Sequence, residues 1–198
     1  TVGDDGLEYI SDKRLEMDVV ITIEEDYTRY TFKENMTKLN DFVMSFDGSF
    51  KMNEQDYAMD ISFKSPDNSF KSLLSLIPGM YTKSFGSIET KGELALAGFV
   101  KGTYSEKQMP AFNLNMVVKD AMFKYPELPT AINNINLDLL VDNKDGIIDH
   151  TTIDLKKLHL DFGANPVDAR ARITALYPTN LDAEISAALN LAEVDKMF

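Results

Sequence analysis

Two histidines, one carboxylate-rich turn and 32 acidic residues are the groups in this chain with the means to do chemistry. His159 lies in Leu158-His159-Leu160, so strand periodicity sends its imidazole to the face opposite the two leucines. A solvated surface histidine explains that placement without catalysis. His150 stands beside Asp149 in a turn, and such a pair falls short of the three or four ligands a zinc site needs. The segment Asp142-Asn143-Lys144-Asp145-Gly146 is the nearest approach to a calcium loop. Placing Gly146 at the loop's sixth position puts Val141 where the first carboxylate belongs and Thr152 where a bidentate Glu belongs, so the ligand set fails. Gly98 and Gly102 have the spacing of a membrane-helix packing motif, but their segment alternates as a strand. No nucleophile elbow, phosphate-binding glycine loop, dinucleotide fingerprint or zinc-protease motif occurs. Adjacent carboxylates are expected by chance at this acidic content. The reading is a protein that is not an enzyme, with no catalytic residue, no metal ligand and no cofactor.

The elements that would position any such group are strands. From residue 88 to 191 an apolar residue recurs at every second position, most clearly at Leu181, Ala183, Ile185, Ala187, Leu189 and Leu191. Asp182, Glu184, Ser186 and Asn190 fall between them. Successive strand side chains point to opposite faces, so this spacing makes one apolar and one polar face. The same alternation runs through Leu94 and Leu96, through Leu114 and Met116, through Ile135, Leu137 and Leu139, and through Ile173. In the first half it runs through Leu15 to Ile23, Tyr30 and Phe32, Phe42 to Met52, and Tyr57 to Phe63, with a hairpin turn at Asn53-Glu54-Gln55. The phase flips after Val118 and after Leu155, which predicts bulges at Lys119-Asp120 and Lys156-Lys157. One internal helix is expected over about residues 70–77, with Ser69 as N-cap and Pro78-Gly79 as its end. Its Leu73, Leu74 and Ile77 make a small apolar side, sized to plug an end of a sheet rather than to cover it.

At 198 residues and 44% hydrophobic content the chain can build one all-β domain. A net charge of −12 and a pI near 4.6 argue against nucleic acid and against electrostatic docking on anionic headgroups. The absence of cysteine excludes disulfides and leaves cytosol and periplasm both open. No stretch reaches the roughly 20 apolar residues of a membrane-spanning helix. Residues 1–10 read as a loose lead-in, 65–87 as a possible seam, and 191–198 as the opening of a helix. The expectation is a single segment of a longer protein, whose anchor lies outside it.

Specific residues within 90–175 carry a resemblance. They are Gly92-Glu93-Leu94, Gly98, Gly102-Thr103-Tyr104 and Pro110-Ala111-Phe112-Asn113-Leu114. Then follow Ala121-Met122-Phe123-Lys124-Tyr125-Pro126-Glu127-Leu128-Pro129, Asn133-Asn134-Ile135-Asn136-Leu137 and Ile153-Asp154-Leu155. In this order they resemble the C-terminal region of bacterial AsmA-like proteins. The resemblance covers a little under half of the chain, rests on structural residues and brings no catalytic residue with it. It implies a mainly β fold of long, twisted, mostly antiparallel strands curved into a half-pipe or open barrel-like groove. It also implies a periplasmic protein tethered to the inner membrane that handles phospholipid in outer-membrane biogenesis, with envelope proteins as possible partners.

The expected function is therefore non-enzymatic binding of phospholipid acyl chains. The groove-lining candidates are Leu94, Leu96, Leu114, Met116, Ile135, Leu137, Leu139, Ile173, Ile185 and Leu189. The alternative is a structural or protein-binding β-sandwich with a dry core, since half-buried strands of any sandwich alternate in the same way. A carbohydrate-binding sandwich ranks last, because tryptophan is absent and the tyrosines are scattered.

Overall fold

Strand-forming runs joined by short turns fold into one antiparallel meander. A computed structural model of the chain describes residues 2–4, 7–10, 14–24, 27–66, 69–76, 88–124 and 130–190. Its strands are β1 (Val2–Asp4), β2 (Leu7–Ile10), β3 (Leu15–Ile23), β4 (Arg29–Leu39), β5 (Phe42–Met52) and β6 (Tyr57–Lys64). After the helix α1 (Phe70–Leu74) come β7 (Glu89–Tyr104), β8 (Ala111–Lys124), β9 (Ile132–Asn143), β10 (Thr152–Phe162), β11 (Asn165–Ala175) and β12 (Asn180–Ala187). β3 to β12 form a single ten-stranded sheet in strict sequence order, with each strand antiparallel to the next and with β3 and β12 as its two open edges. The pair β1–β2 is a separate hairpin, where a loose lead-in was expected. The segment 65–87 does not interrupt the sheet, because β6 pairs directly with β7 from Tyr57↔Tyr104 to Lys64↔Ala97.

Both expected bulges are present. The register shifts between Val118 and Ala121, where Asp120 takes a φ of 46°, and between Leu155 and Leu158. A third lies in β4 between Phe32 and Asn35, with Glu34 at a φ of 53°. Each bulge inserts one residue and resets the alternation, so apolar side chains on either side of it stay on one face. Gly98 serves the same face differently. It sits opposite Phe63, and a Cβ at this position would strike the Phe63 ring and the Asn113 carbonyl oxygen. The glycine thus leaves room for the aromatic ring across the strand pair.

The helix is shorter than expected and ends at Leu74, followed by a turn at 75–76; Ile77, Pro78 and Gly79 lie outside the described residues. Ser69 holds the N-cap position, but its side chain makes no capping bond, and its backbone is bridged to Glu93 on β7. At the other end the Ser75 carbonyl accepts from Asn40 Nδ2 at 2.7 Å, and Asp41 N–H donates to Ser75 Oγ at 3.3 Å. The helix is therefore a strap between β7 and the β4–β5 turn. Phe70 of the helix and, beneath it, Phe42, Leu94, Val118 and Ala121 form the buried cluster, flanked by Leu73, Leu74, Leu96 and Met116. The helix plugs one end of the apolar face, as its small sticky side predicts.

Truncation beneath the strap tests this packing. Leu94→Ala is expected to lose about 2–5 kcal/mol of stability in chemical denaturation, the range for a cavity under an immobile lid. A loss under 1 kcal/mol would mean that the strap does not hold Leu94 in place.

Candidate functional site

The apolar face of the sheet is the site, and its rows are fixed by register. Across β7 to β12 one row reads Leu94, Val118, Leu137, Leu158, Ala169, Ile185. The next reads Leu96, Met116, Leu139, Leu155, Ala171, Ala183. A third reads Gly98, Leu114, Val141, Ile153, Ile173, Leu181 and continues backwards through Phe63 and Phe46. Ile135 stands opposite Ala121. Nine of the ten candidate lining residues thus share one face, while Leu189 lies just past the end of β12. The first half contributes further residues that periodicity placed on strands but not in the site. Phe32, Phe46, Ile61 and Phe63 join the same face, since Phe32 opposes Gly48, Gly48 opposes Ile61 and Phe46 opposes Phe63.

Burial across this face is graded. Leu94, under the helix, is 1% exposed and belongs to the packed core rather than to an open surface. Leu96, Leu114, Met116, Ile135, Leu137, Leu139 and Ile173 are half-buried. Towards the β12 edge Leu181 reaches 57% and Ile185 75% exposure, and at the β3 edge Met17 reaches 58%. Only six hydrophobic residues are buried among the described residues. The chain exposes 12958 Å², where a compact monomer of 22.3 kDa exposes about 9,400 Å².

No Asp, Glu, Lys, Arg or His occupies an apolar-face position in the paired segments of β3 to β12. The polar exceptions are few. Asn35 is completely buried at the β4 bulge, where its Oδ1 accepts the Val20 N–H, and its Nδ2 finds no partner among the described residues. Asn143 is buried at the end of β9 and fully used. Its Nδ2 donates to the Ile147 carbonyl at 2.7 Å and to Thr151 Oγ1 at 3.0 Å, while its Oδ1 accepts from Gly146 N–H at 2.7 Å.

The charges sit on the other face, in cross-strand pairs. Lys101 meets Asp60 at 2.7 Å, Lys156 meets Asp138 at 3.5 Å, and Arg170 meets Glu184 at 2.6 Å. Two hollows of about 300 Å³ lie among these charges, one between Lys156, Arg170 and Glu184 and the other between Lys156, Arg172 and Asp182. His159 lies on it too, with Nδ1 2.8 Å from Asp168 and Nε2 3.5 Å from Asp161. His150 pairs with Asp145 across the turn at 2.7 Å, and not with its sequence neighbour Asp149. Asp142 accepts from Asn113 Nδ2 across the β8–β9 pair, and Asp145 accepts the Ile147 N–H within the turn, so the calcium-like segment's carboxylates are engaged locally. No group of three potential metal ligands occurs among the described residues. Free of Asp, Glu, Lys, Arg and His in its paired segments, and with Tyr30, Tyr57 and Tyr104 grouped around Phe50 at one end, the apolar face has the means to remove hydrocarbon from water.

No protein-family profile, no curated protein and no solved structure matches this chain.

The turn makes one pH-dependent prediction. The His150 hydrogen bond, and after it the Ile147 N–H, hold the Asp145 carboxyl below its ordinary value. A depressed carboxylate value means that the contact is complete above the ordinary carboxylate range and is lost as pH falls through the depressed value. Carboxyl-carbon NMR of Asp145 should give a midpoint below that of exposed aspartates, and His150→Ala should raise it. An unchanged midpoint in the variant would assign the depression to the backbone alone.

Proposed function

We propose that the apolar face shelters the acyl chains of phospholipid, in a non-enzymatic segment of an AsmA-like envelope protein that serves lipid transport and outer-membrane biogenesis. The observation that carries this reading is a continuous, charge-free apolar face on one open sheet, covered at one end by a helix of five residues. An exposed apolar patch of more than a few hundred Å² marks an interaction surface. Bulges bend the strands that carry them, which favours a sheet curved along its strands with a trough across them. Ten strands at about 4.8 Å spacing give that trough a length of about 43 Å, enough for a lipid tail lying across the strands.

The energetics favour hydrocarbon. A sixteen-carbon chain laid on such a surface gains about 13 kcal/mol gross at about 0.8 kcal/mol per buried methylene. That matches the upper part of the roughly 4–15 kcal/mol cost of immobilising a ligand, so binding is reversible, as a transport role needs. Met44, Met59 and Met116 on the same face supply a lining that adapts to different chains. The localisation that goes with this reading is periplasmic, tethered to the inner membrane through an anchor outside these residues. A dry-core sandwich is favoured less, because the apolar side chains of β10 to β12 have no second described layer upon them.

The test is lipid extraction from protein purified without detergent, followed by mass spectrometry. Phospholipid should be recovered with the native protein, and the pair Leu139→Asp and Ile173→Asp should reduce recovery at least several-fold while the folded signal in circular dichroism persists. Recovery of no phospholipid, or equal recovery from the double variant, would leave the scaffold reading in its place.

A further inference from the structure

In an antiparallel meander every second connection falls at the same end of the sheet. Five connections between β3 and β12 therefore share one end, namely residues 24–28, 53–56, 105–110, 144–151 and 176–179. Each of them contains or adjoins a large apolar side chain in the open. Tyr27 is 73% exposed in the first and Tyr177 81% in the last. Met109 is exposed in the third, and Ile147 and Ile148 in the fourth. The second is polar in itself but is flanked by exposed Met52 and Tyr57. Turns favour Gly, Asn and Asp, and Tyr27 even stands at a φ of 56°, where glycine or asparagine fits with less strain. The described residues of the four connections at the opposite end, among them Asn40-Asp41 and Gly163-Ala164, expose no large apolar side chain.

This fringe of turns is continuous with the apolar face. Tyr57 stacks on Phe50 with ring centroids 5.5 Å apart and on Tyr104 at 6.4 Å, in the last rows of that face before the turns. From the β3–β4 turn to the β11–β12 turn the fringe runs about 38 Å, at about 4.8 Å per strand. Along it apolar tips recur about every 10 Å, one turn for every two strands, with polar and charged residues between them. A protein partner needs one contiguous dry core. A layer of lipid headgroups admits separate tips, and tyrosine, with its apolar body and polar end, suits that depth. Four of the five connections carry Asp or Glu, and their only lysines are Lys107 and Lys144. Such a fringe repels an anionic surface, while the ammonium groups outermost on a zwitterionic one meet carboxylates and tyrosine rings.

We propose that this end of the sheet docks on the surface of a zwitterionic phospholipid bilayer, with Tyr27, Met109, Ile147, Ile148 and Tyr177 seated among the headgroups. Insertion is shallow, because each turn offers only one or two such residues and the carboxylates beside them stay in water. Each tip binds weakly, and tips joined by one sheet meet the surface together, so their contributions multiply. The inference concerns a surface and not the cargo. The apolar face can hold lipid without this contact, and the contact can form while the face is empty.

Tryptophan is absent from the chain, so a single introduced one is a clean fluorescent reporter. Ile148→Trp and Tyr177→Trp are mixed with vesicles of phosphatidylcholine, beside Ala164→Trp at the opposite end and Leu139→Trp on the apolar face. Emission from positions 148 and 177 is expected to shift to the blue and to be quenched by brominated acyl chains, while that from 164 stays unchanged. Replacing a third of the lipid with phosphatidylglycerol should weaken binding several-fold at low salt. The native protein should float with phosphatidylcholine vesicles, and the double variant Ile148→Ser with Tyr177→Ser should lower that partition about tenfold. Flotation of the native protein on the two kinds of vesicle decides even where a variant fails to fold. A shift at 139 without one at 148 or 177 would overturn the docking and leave lipid on the apolar face standing. Equal shifts at 148 and 164, tighter binding to the anionic vesicles, or self-association that buries 148 and 177 without lipid would also overturn it.

Discussion

A β-sheet with one apolar face must put that face against something, and the described residues of this chain supply almost nothing to put there. Ten strands present hydrocarbon to one side, and the described residues return a helix of five residues to cover it. Hydrophobic burial is the main favourable term in folding. Here it is concentrated at one end, where Phe42, Phe70, Leu94, Val118 and Ala121 meet, and it thins to exposed leucine and isoleucine at the edges. The imbalance between apolar area and its described cover is what the proposed binding of hydrocarbon rests on.

The remaining features keep that face continuous. A one-residue slip would turn a whole strand's apolar set to the other side. Bulges in β4, β8 and β10 absorb the odd residues, Gly98 admits the Phe63 ring, and buried Asn143 locks the turn between β9 and β10. On the outer face, salt bridges such as Arg170–Glu184 are exposed and each is worth little. They join strands that the register already sets side by side, as Lys101 and Asp60 or Arg170 and Glu184 do.

Much of this was legible in the sequence because strand periodicity is two and the apolar set is nearly unbroken. The phase flips at Val118 and Leu155 marked bulges that the register confirms. The β4 bulge left no such mark, because Lys33 and Glu34 are both polar and Asn35 breaks the apolar run. Alternation also says nothing about cover. Leu94 and Leu139 look alike along the chain, yet one lies beneath a helix from a distant segment and the other does not. Likewise Asp149 adjoins His150 in sequence, while the turn brings Asp145 to the imidazole. Strand neighbours are readable from spacing; contacts made through turns and straps are not.

Nitroxide labels placed one at a time at Leu137, Asp138, Leu139 and Leu140 of β9 test the central claim most directly. Electron paramagnetic resonance spectra are recorded before and after phospholipid is supplied. The account predicts a period of two, with the labels at 137 and 139 slowed and screened from water by the lipid while those at 138 and 140 stay as they were. Labels at 137 and 139 already dry and immobile without lipid, or equal changes on both faces, would contradict it.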